Sequence, residues 1–289
     1  MKNIRTFISL ALAIFITVWG STQVASQSVD PKPEVVLTSQ VEWSPLNPAR
    51  GDQSPQAGNL WGDRTNSGAS GFLVKFVDGF SSPPHIHNVT YRGMVISGLV
   101  HNYDPNAENM WLPAGSFWTQ PAGDVHITSA DDSNNIAYIE IDEGPYLVLP
   151  TEEAFGSEEK PINVDKSNIV WLDASNITWI DRTEMSAPAD EAKVAFLWGN
   201  PQDSELNGTL VKLSPGFTGK IRSNGSTFRA VVVQGRSQYQ VPGETEEKTL
   251  EPGSYFGSKE ESVHQVSCET EQECIIYVRT EGKYEVIPS

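Results

Sequence analysis

His85 and His87, with His126 further along the chain, are three of the five histidines in this 289-residue sequence. Residues i and i+2 of a β-strand point to the same face. The pair His85-Ile86-His87 therefore aims two imidazoles into one space, and a third from a paired strand would complete a metal site. An H-x-H pair by itself is more often a polar strand face satisfied by hydrogen bonds. Neutral imidazoles suit Zn, Fe, Ni or Cu better than Mg or Ca. Three such ligands leave positions open for water or substrate and leave the metal's charge uncancelled, which favours an anionic or enolising small molecule.

The elements that must position these residues are written twice. Leu60-Trp61-Gly62 recurs as Leu197-Trp198-Gly199, Gly71–Phe76 as Gly208–Leu213, and Gly79 and Gly98 as Gly216 and Gly235, all at an offset of 137. The offset then becomes 138, pairing His126 with His264, Gly144 with Gly282, Tyr146 with Tyr284 and Pro150 with Pro288. A repeat this long means two copies of one folding unit. Each copy reads as β: short apolar runs such as Phe72–Val77, Tyr91–Val100 and Ile136–Ile141 are punctuated by Gly, Pro, Asn and Asp. We expect a polar linker over residues 151–168, a second polar insert over 186–193, and domains spanning 27–160 and 161–289.

The spacing resembles the two motifs of the cupin superfamily. Gly79, five residues, His85-x-His87, three residues, Tyr91, six residues and Gly98 follow the first motif, with Tyr91 where a Glu is expected. Gly115, five residues, Pro121-x-Gly123, two residues and His126 follow the second. With the duplication, the chain resembles a bicupin, and the wording of Gly71–Gly98 is similar to ChrR-like cupins. The resemblance implies an all-β protein of two tandem jelly-roll barrels, with His85, His87 and His126 binding a divalent transition metal, Fe or Zn, in one barrel mouth. It also resembles the three-His iron sites of some cupin dioxygenases. Tyr91, the candidate catalytic residue, has three roles open to it: packing, a hydrogen bond to a bound oxygen, or weak ligation. His101 reads as an exposed polar residue, with a supporting role behind the ligands as the alternative. Trp111, Phe117 and Trp118 read as core, with a pocket wall as the alternative.

The second copy has lost the ligands. Arg222, Asn224 and Phe228 stand at the positions of His85, His87 and Tyr91. A guanidinium offers no lone pair to a cation, so this half is read as structural, with Arg222 neutralising local acid and His264 packed or hydrogen-bonded.

The N-terminus, with Lys2 and Arg5 ahead of an apolar run to about Gly20, reads as a signal peptide over residues 1–26, implying a secreted or periplasmic protein. Its removal would take the formal charge from −17 to −19. Such a surface excludes nucleic acid and anionic lipid as partners and leaves a small-molecule ligand or substrate, with a homo-oligomer possible. Cys268 and Cys274 read as a disulfide clipping a hairpin. Four Asn-x-Ser/Thr sequons, at Asn88, Asn176, Asn207 and Asn224, are treated as chance. Two functions fit these residues: a metal-dependent, dioxygenase-type enzyme, or a non-catalytic cupin that captures or senses a small molecule or metal.

Overall fold

Apolar runs with no polar alternation, such as Phe72-Leu73-Val74 and Met94-Val95-Ile96, belong to strands buried on both faces. In the computed structural model, which describes residues 34–177, 191–201, 205–241 and 245–289, this is their situation. The leader expected at 1–26 and most of the 186–193 insert lie outside those residues.

The fold is all-β, two jelly-roll sandwiches in tandem. The first copy builds a seven-stranded sheet in the order 162–164, 117–120, 91–97, 135–141, 70–76, 56–61, 44–45. The second builds its counterpart in the order 34–36, 255–259, 227–234, 274–281, 206–213, 192–199, 172–173. Alternate residues on these strands serve different cores. Phe72, Val74, Val95 and Ile139 fill the first barrel, while Leu73, Met94, Ile96 and Tyr138 meet Leu210, Val231, Val233 and Tyr277 in a core shared by both halves. The two large sheets thus lie back to back.

Each large sheet ends on a strand from the other copy's side of the sequence. Glu34–Val36 pairs with the strand Tyr255–Lys259, and Ile162–Val164 pairs with Phe117–Gln120. The segment 151–168 is therefore more than a polar linker: it holds that strand between two 3-10 turns. Three residues are too few for a period-two pattern to be read. The repeat also slips once more than the sequence alignment suggests. Leu73 pairs with Tyr138 and Leu210 with Tyr277, so the offset on the central strand is 139.

That slip decides what meets at the junction. Glu140 of the first half and Arg279 of the second occupy equivalent positions and pair at 3.1 Å, with both side chains buried. Tyr138 and Tyr277 each donate to the Glu140 carboxylate, at 3.0 and 2.7 Å. Each tyrosine in turn accepts from the indole N–H of its own half's tryptophan, Trp61 at 3.0 Å and Trp198 at 2.9 Å. Arg92 stacks on Trp198 across the junction at 3.6 Å, and Arg229 lies over Trp61 at 5.2 Å.

The smaller sheets differ between the halves. In the second, Thr218–Ser223 pairs continuously with both Ser262–Cys268 and Tyr284–Pro288. In the first, the same stretch makes only isolated bridges, Ser81 with Ser129 and His85 with His126, plus a two-residue pairing of Ile86–His87 with Val148–Leu149. Pro83 and Pro84 stand where the second half has Lys220 and Ile221. Proline has no N–H to give a ladder, so the sheet parts there. A disulfide joins Cys268 to Cys274, Cα–Cα 5.7 Å, and clips the hairpin as read from sequence.

Breaking one partner of a buried ion pair costs about 3–5 kcal/mol, because the other charge is stranded. Glu140→Ala and Arg279→Ala should each destabilise by that order, and the double variant by clearly less than their sum. Urea denaturation of the three variants measures this, and strictly additive losses would show that the pair is not coupled.

Candidate metal centre

His85 and His126 face each other across a narrow antiparallel pair, exchanging both backbone bonds at 3.0 Å. His87, two residues along, lies on the same face. Gly123 donates its N–H to the His87 carbonyl at 2.8 Å and so anchors the Pro121–Gly123 turn beside it. Gly123 has φ of +76° and no room for a Cβ, which would meet the Phe155 carbonyl at 2.4 Å; only glycine suits that position.

The three imidazoles are aimed by the same device. Each Nδ1–H donates to a backbone carbonyl: His85 to Pro83 at 2.9 Å, His87 to Leu147 at 2.8 Å, His126 to Asp124 at 3.1 Å. A carbonyl can only accept, so every Nδ1 carries the proton and every Nε2 keeps its lone pair. The three potential ligand atoms lie within 4.8 Å of one another. This tautomer, held from behind, is the one a metal requires, and the residues present fit a divalent transition metal.

Burial keeps the set neutral. It pushes His87 well below the usual imidazole range, helped by the neighbouring His126 and His85. It takes His126 down to about 3, helped by His85. It also lowers His85, where the nearby Arg50 charge adds to the effect.

Tyr91 stands beside the three histidines. Its hydroxyl donates to Asn102 Oδ1 at 2.7 Å, leaving its oxygen 3.3 Å from His126 Nε2. Thr128 donates to the same amide oxygen, Asn102 donates to Gln120, and Gln120 donates to the Asp124 carbonyl that also orients His126. That chain fixes which way the Asn102 amide points. Burial raises the Tyr91 pKa far above its ordinary value, so it stays a phenol.

Tyr146 is a site residue the sequence reading missed. It stacks on His87 with ring centroids 4.3 Å apart, and its hydroxyl lies 3.2 Å from His87 Nε2. The strap that carries it is pinned by Asn88, which donates to Pro145 O at 3.0 Å and accepts from Leu147 N at 2.9 Å. Asn88 is thus occupied by the fold. Asn102 and Arg50 were also missed. The pairing of Tyr146 with Tyr284 in the repeat was the one available signal, and it pointed to the scaffold rather than to the site.

A cavity of about 140 Å³ reaches His85 and His87, walled by Leu46, Val74, Phe76, Phe80, Trp118 and Ile139 among others. Trp118 is therefore both core and wall; it fits because Gly93 beneath it has no Cβ, which would meet the indole at 2.1 Å. Phe117 turns to the inter-half core. Trp111 packs edge-on to His101 at 6.1 Å, away from the cavity lining. The expectation that His101 is exposed was wrong: it is fully buried, and its Nδ1 accepts from Met110 N at 3.1 Å. It sits on the central strand of the short sheet ordered 127–130, 99–103, 112–113.

In the second half His264 is equally buried but enclosed. Its Nδ1 meets Tyr239 Oη at 2.9 Å, its Nε2 meets Ser258 and Ser262 at 3.1 Å, and Phe228 stacks on it at 4.7 Å. Arg222 pairs with Glu285 at 3.3 Å. The metal arrangement of the first half is not repeated among these residues.

A duplicated jelly roll with a histidine cluster in one barrel mouth defines the class: the fold is that of the cupin superfamily, in its bicupin form. The chain belongs to the family of unknown function DUF4437, which matches residues 34–287. No curated relative matches it. Among solved structures it is similar to a Nostoc punctiforme protein whose dioxygenase designation is provisional, at 14% identity and TM-score 0.65, covering 90% of this chain and 86% of that one. It is also similar to salicylate 1,2-dioxygenase of Pseudoaminobacter salicylatoxidans in complex with gentisate (16%, TM-score 0.55, 88% and 84% covered). A third is the oxalate decarboxylase of Lactobacillus farciminis in complex with formate (11%, TM-score 0.55, 90% and 89%). At these identities the likeness is one of fold.

Burial lowers His264 to about 4, against about 6.5 in the unfolded chain. A depressed folded value means stability is complete above pH 6.5 and is lost as pH falls toward 4. The His264 share is on the order of 3 kcal/mol. Urea midpoints of metal-free protein should therefore fall across that window, and less steeply in His264→Gln. An identical slope in the variant would contradict the assignment.

Proposed function

We propose that this protein is an exported metal-dependent bicupin that acts on a small molecule, with Fe-type dioxygenase-like chemistry as the leading reaction. The single observation that carries the reading is the shared tautomer: three buried imidazoles, each with Nδ1–H tied to a carbonyl, whose potential ligand atoms lie within 4.8 Å of one another. His85, His87 and His126 would hold the metal, Fe or Zn. When bound, it would polarise a coordinated substrate oxygen and, as iron, offer redox chemistry with dioxygen.

The chain's own residues do the rest. Neutral histidines leave the metal's positive charge intact for an anionic or enolising substrate. Tyr91, its proton committed to Asn102, presents an oxygen to the site as an acceptor; Tyr146 brings a hydroxyl to the opposite ligand. The apolar walls exclude water. We assign this work to the domain spanning 27–160 and a scaffold role to 161–289, on the strength of the enclosed His264. Export rests on the N-terminal sequence pattern and on the disulfide, which persists in oxidising compartments. No helix among the described residues is long and apolar enough to cross a membrane.

A second reading, a non-catalytic cupin that captures or senses a ligand in the manner of ChrR-like proteins, is favoured by one observation. No carboxylate lines the cavity, so a general base of that type is missing among the described residues.

Elemental analysis of the purified protein should find about one transition-metal ion per chain. His85→Ala and His126→Ala should drop it to background, while Arg222→Ala leaves it unchanged. Dioxygen uptake with candidate substrates should scale with iron content; ligand recovered unaltered from iron-loaded protein would favour the second reading. A metal-free wild type would sink the first reading and leave small-molecule capture as the second.

A further inference from the structure

The chain carries 37 acidic residues and 20 basic ones, yet the cavity reverses that balance. Arg50 is the one charged side chain among its described lining residues. The arginine is held rather than loose. It sits in the 3-10 segment Pro48–Gln53, whose Asn47 cap accepts from Ala49 N at 3.1 Å and donates its own N–H to the buried Ser54 hydroxyl at 2.9 Å. Its guanidinium lies over the Phe80 ring, 5.1 Å from the centroid, and makes one long bond to Ser81 O at 3.5 Å. No carboxylate among the described residues pairs with it. Four of its five N–H donors are therefore left for something else, in a chamber with no lysine, other arginine or carboxylate among its described lining residues.

The chamber also sets a size. An apolar cavity of about 150 Å³ accommodates benzene, and this one measures about 140 Å³. Phe76, Phe80, Trp118 and Ile139 provide flat or branched walls of the kind that take a single ring or a short branched chain.

We propose that the cavity binds a small monoanion with a benzene-sized apolar body, its anionic group held by Arg50 and its body packed between Phe80 and Trp118. This rests on the reading of the cavity as the substrate site and adds to it the substrate class and the residue that selects it. A guanidinium fork matches a carboxylate in shape and charge, so an uncharged analogue of the same size should be rejected.

Calorimetric titration of the full chain with benzoate, benzamide and 2-naphthoate tests this, with metal-loaded and chelator-treated protein run side by side. Benzoate should bind about tenfold or more tightly than benzamide, and 2-naphthoate no more tightly than benzoate. Arg50→Gln should bring the benzoate-to-benzamide ratio close to one with melting temperature and metal content unchanged, and Arg50→Lys should keep part of the preference. Equal affinities in the wild type, a ratio that survives Arg50→Gln, or tighter binding of 2-naphthoate would each overturn the proposal. If metal is bound but Arg50→Gln leaves the ratio intact, the substrate class fails and the metal centre stands. If no metal is bound but the ratio still collapses in chelator-treated protein, the metal centre fails and Arg50 stands.

Discussion

The buried contact of Glu140 with Arg279 is the constraint around which the two halves are arranged. Taking a carboxylate out of water is expensive unless its oxygens are fully engaged. Here two tyrosine hydroxyls and a guanidinium engage them, and two tryptophan N–H groups support the tyrosines. The arrangement works only between unlike halves. Because Glu140 and Arg279 hold equivalent positions, two first copies meeting this way would set carboxylate against carboxylate, and two second copies would set guanidinium against guanidinium. Divergence at one pair of positions thus makes the partner of each large sheet an unlike half.

With the large sheets committed to each other, the smaller sheets are left to differ, and they do. The second copy keeps an unbroken ladder and fills its interior with Phe228, Tyr239, Phe256 and Tyr284 around His264. The first copy interrupts the ladder at Pro83-Pro84, and Pro83 lines the cavity. One of those four aromatics gives way to a smaller polar residue: Asn102 stands where the second copy has Tyr239, and its amide oxygen accepts from Tyr91. A cavity beside three histidines and a filled core are two outcomes of one scaffold, separated by a few residues that either close the sheet or part it.

Much of the site was legible in the sequence because its parts are local. His85 and His87 share a face by strand geometry, and the glycines and Pro121 mark turns whose positions in the chain are regular. His126 joins them through a family spacing. Tyr146, Asn102 and Arg50 were not legible, since each reaches the cavity from a distant segment with no spacing that relates it to the histidines. Tyr146 arrives on a strap pinned by Asn88; Arg50 arrives on a surface turn. His101 was misread for the converse reason: a single polar residue in a strand carries no sign of which face will be covered, and this one faces inward from the central strand of a short sheet.

By itself the sequence determined that the chain is β throughout, that one folding unit occurs twice, and that only the first copy keeps three imidazoles at ligand spacing. Those properties follow from period-two burial, from glycine's conformational range and from which side chains own a lone pair. Tertiary structure decided which way each imidazole points, which copy holds a cavity beside its histidines, and that Arg50 lines that cavity. These depend on carbonyls, phenols and sheet edges brought together from far along the chain, and no local pattern records a contact that only folding creates.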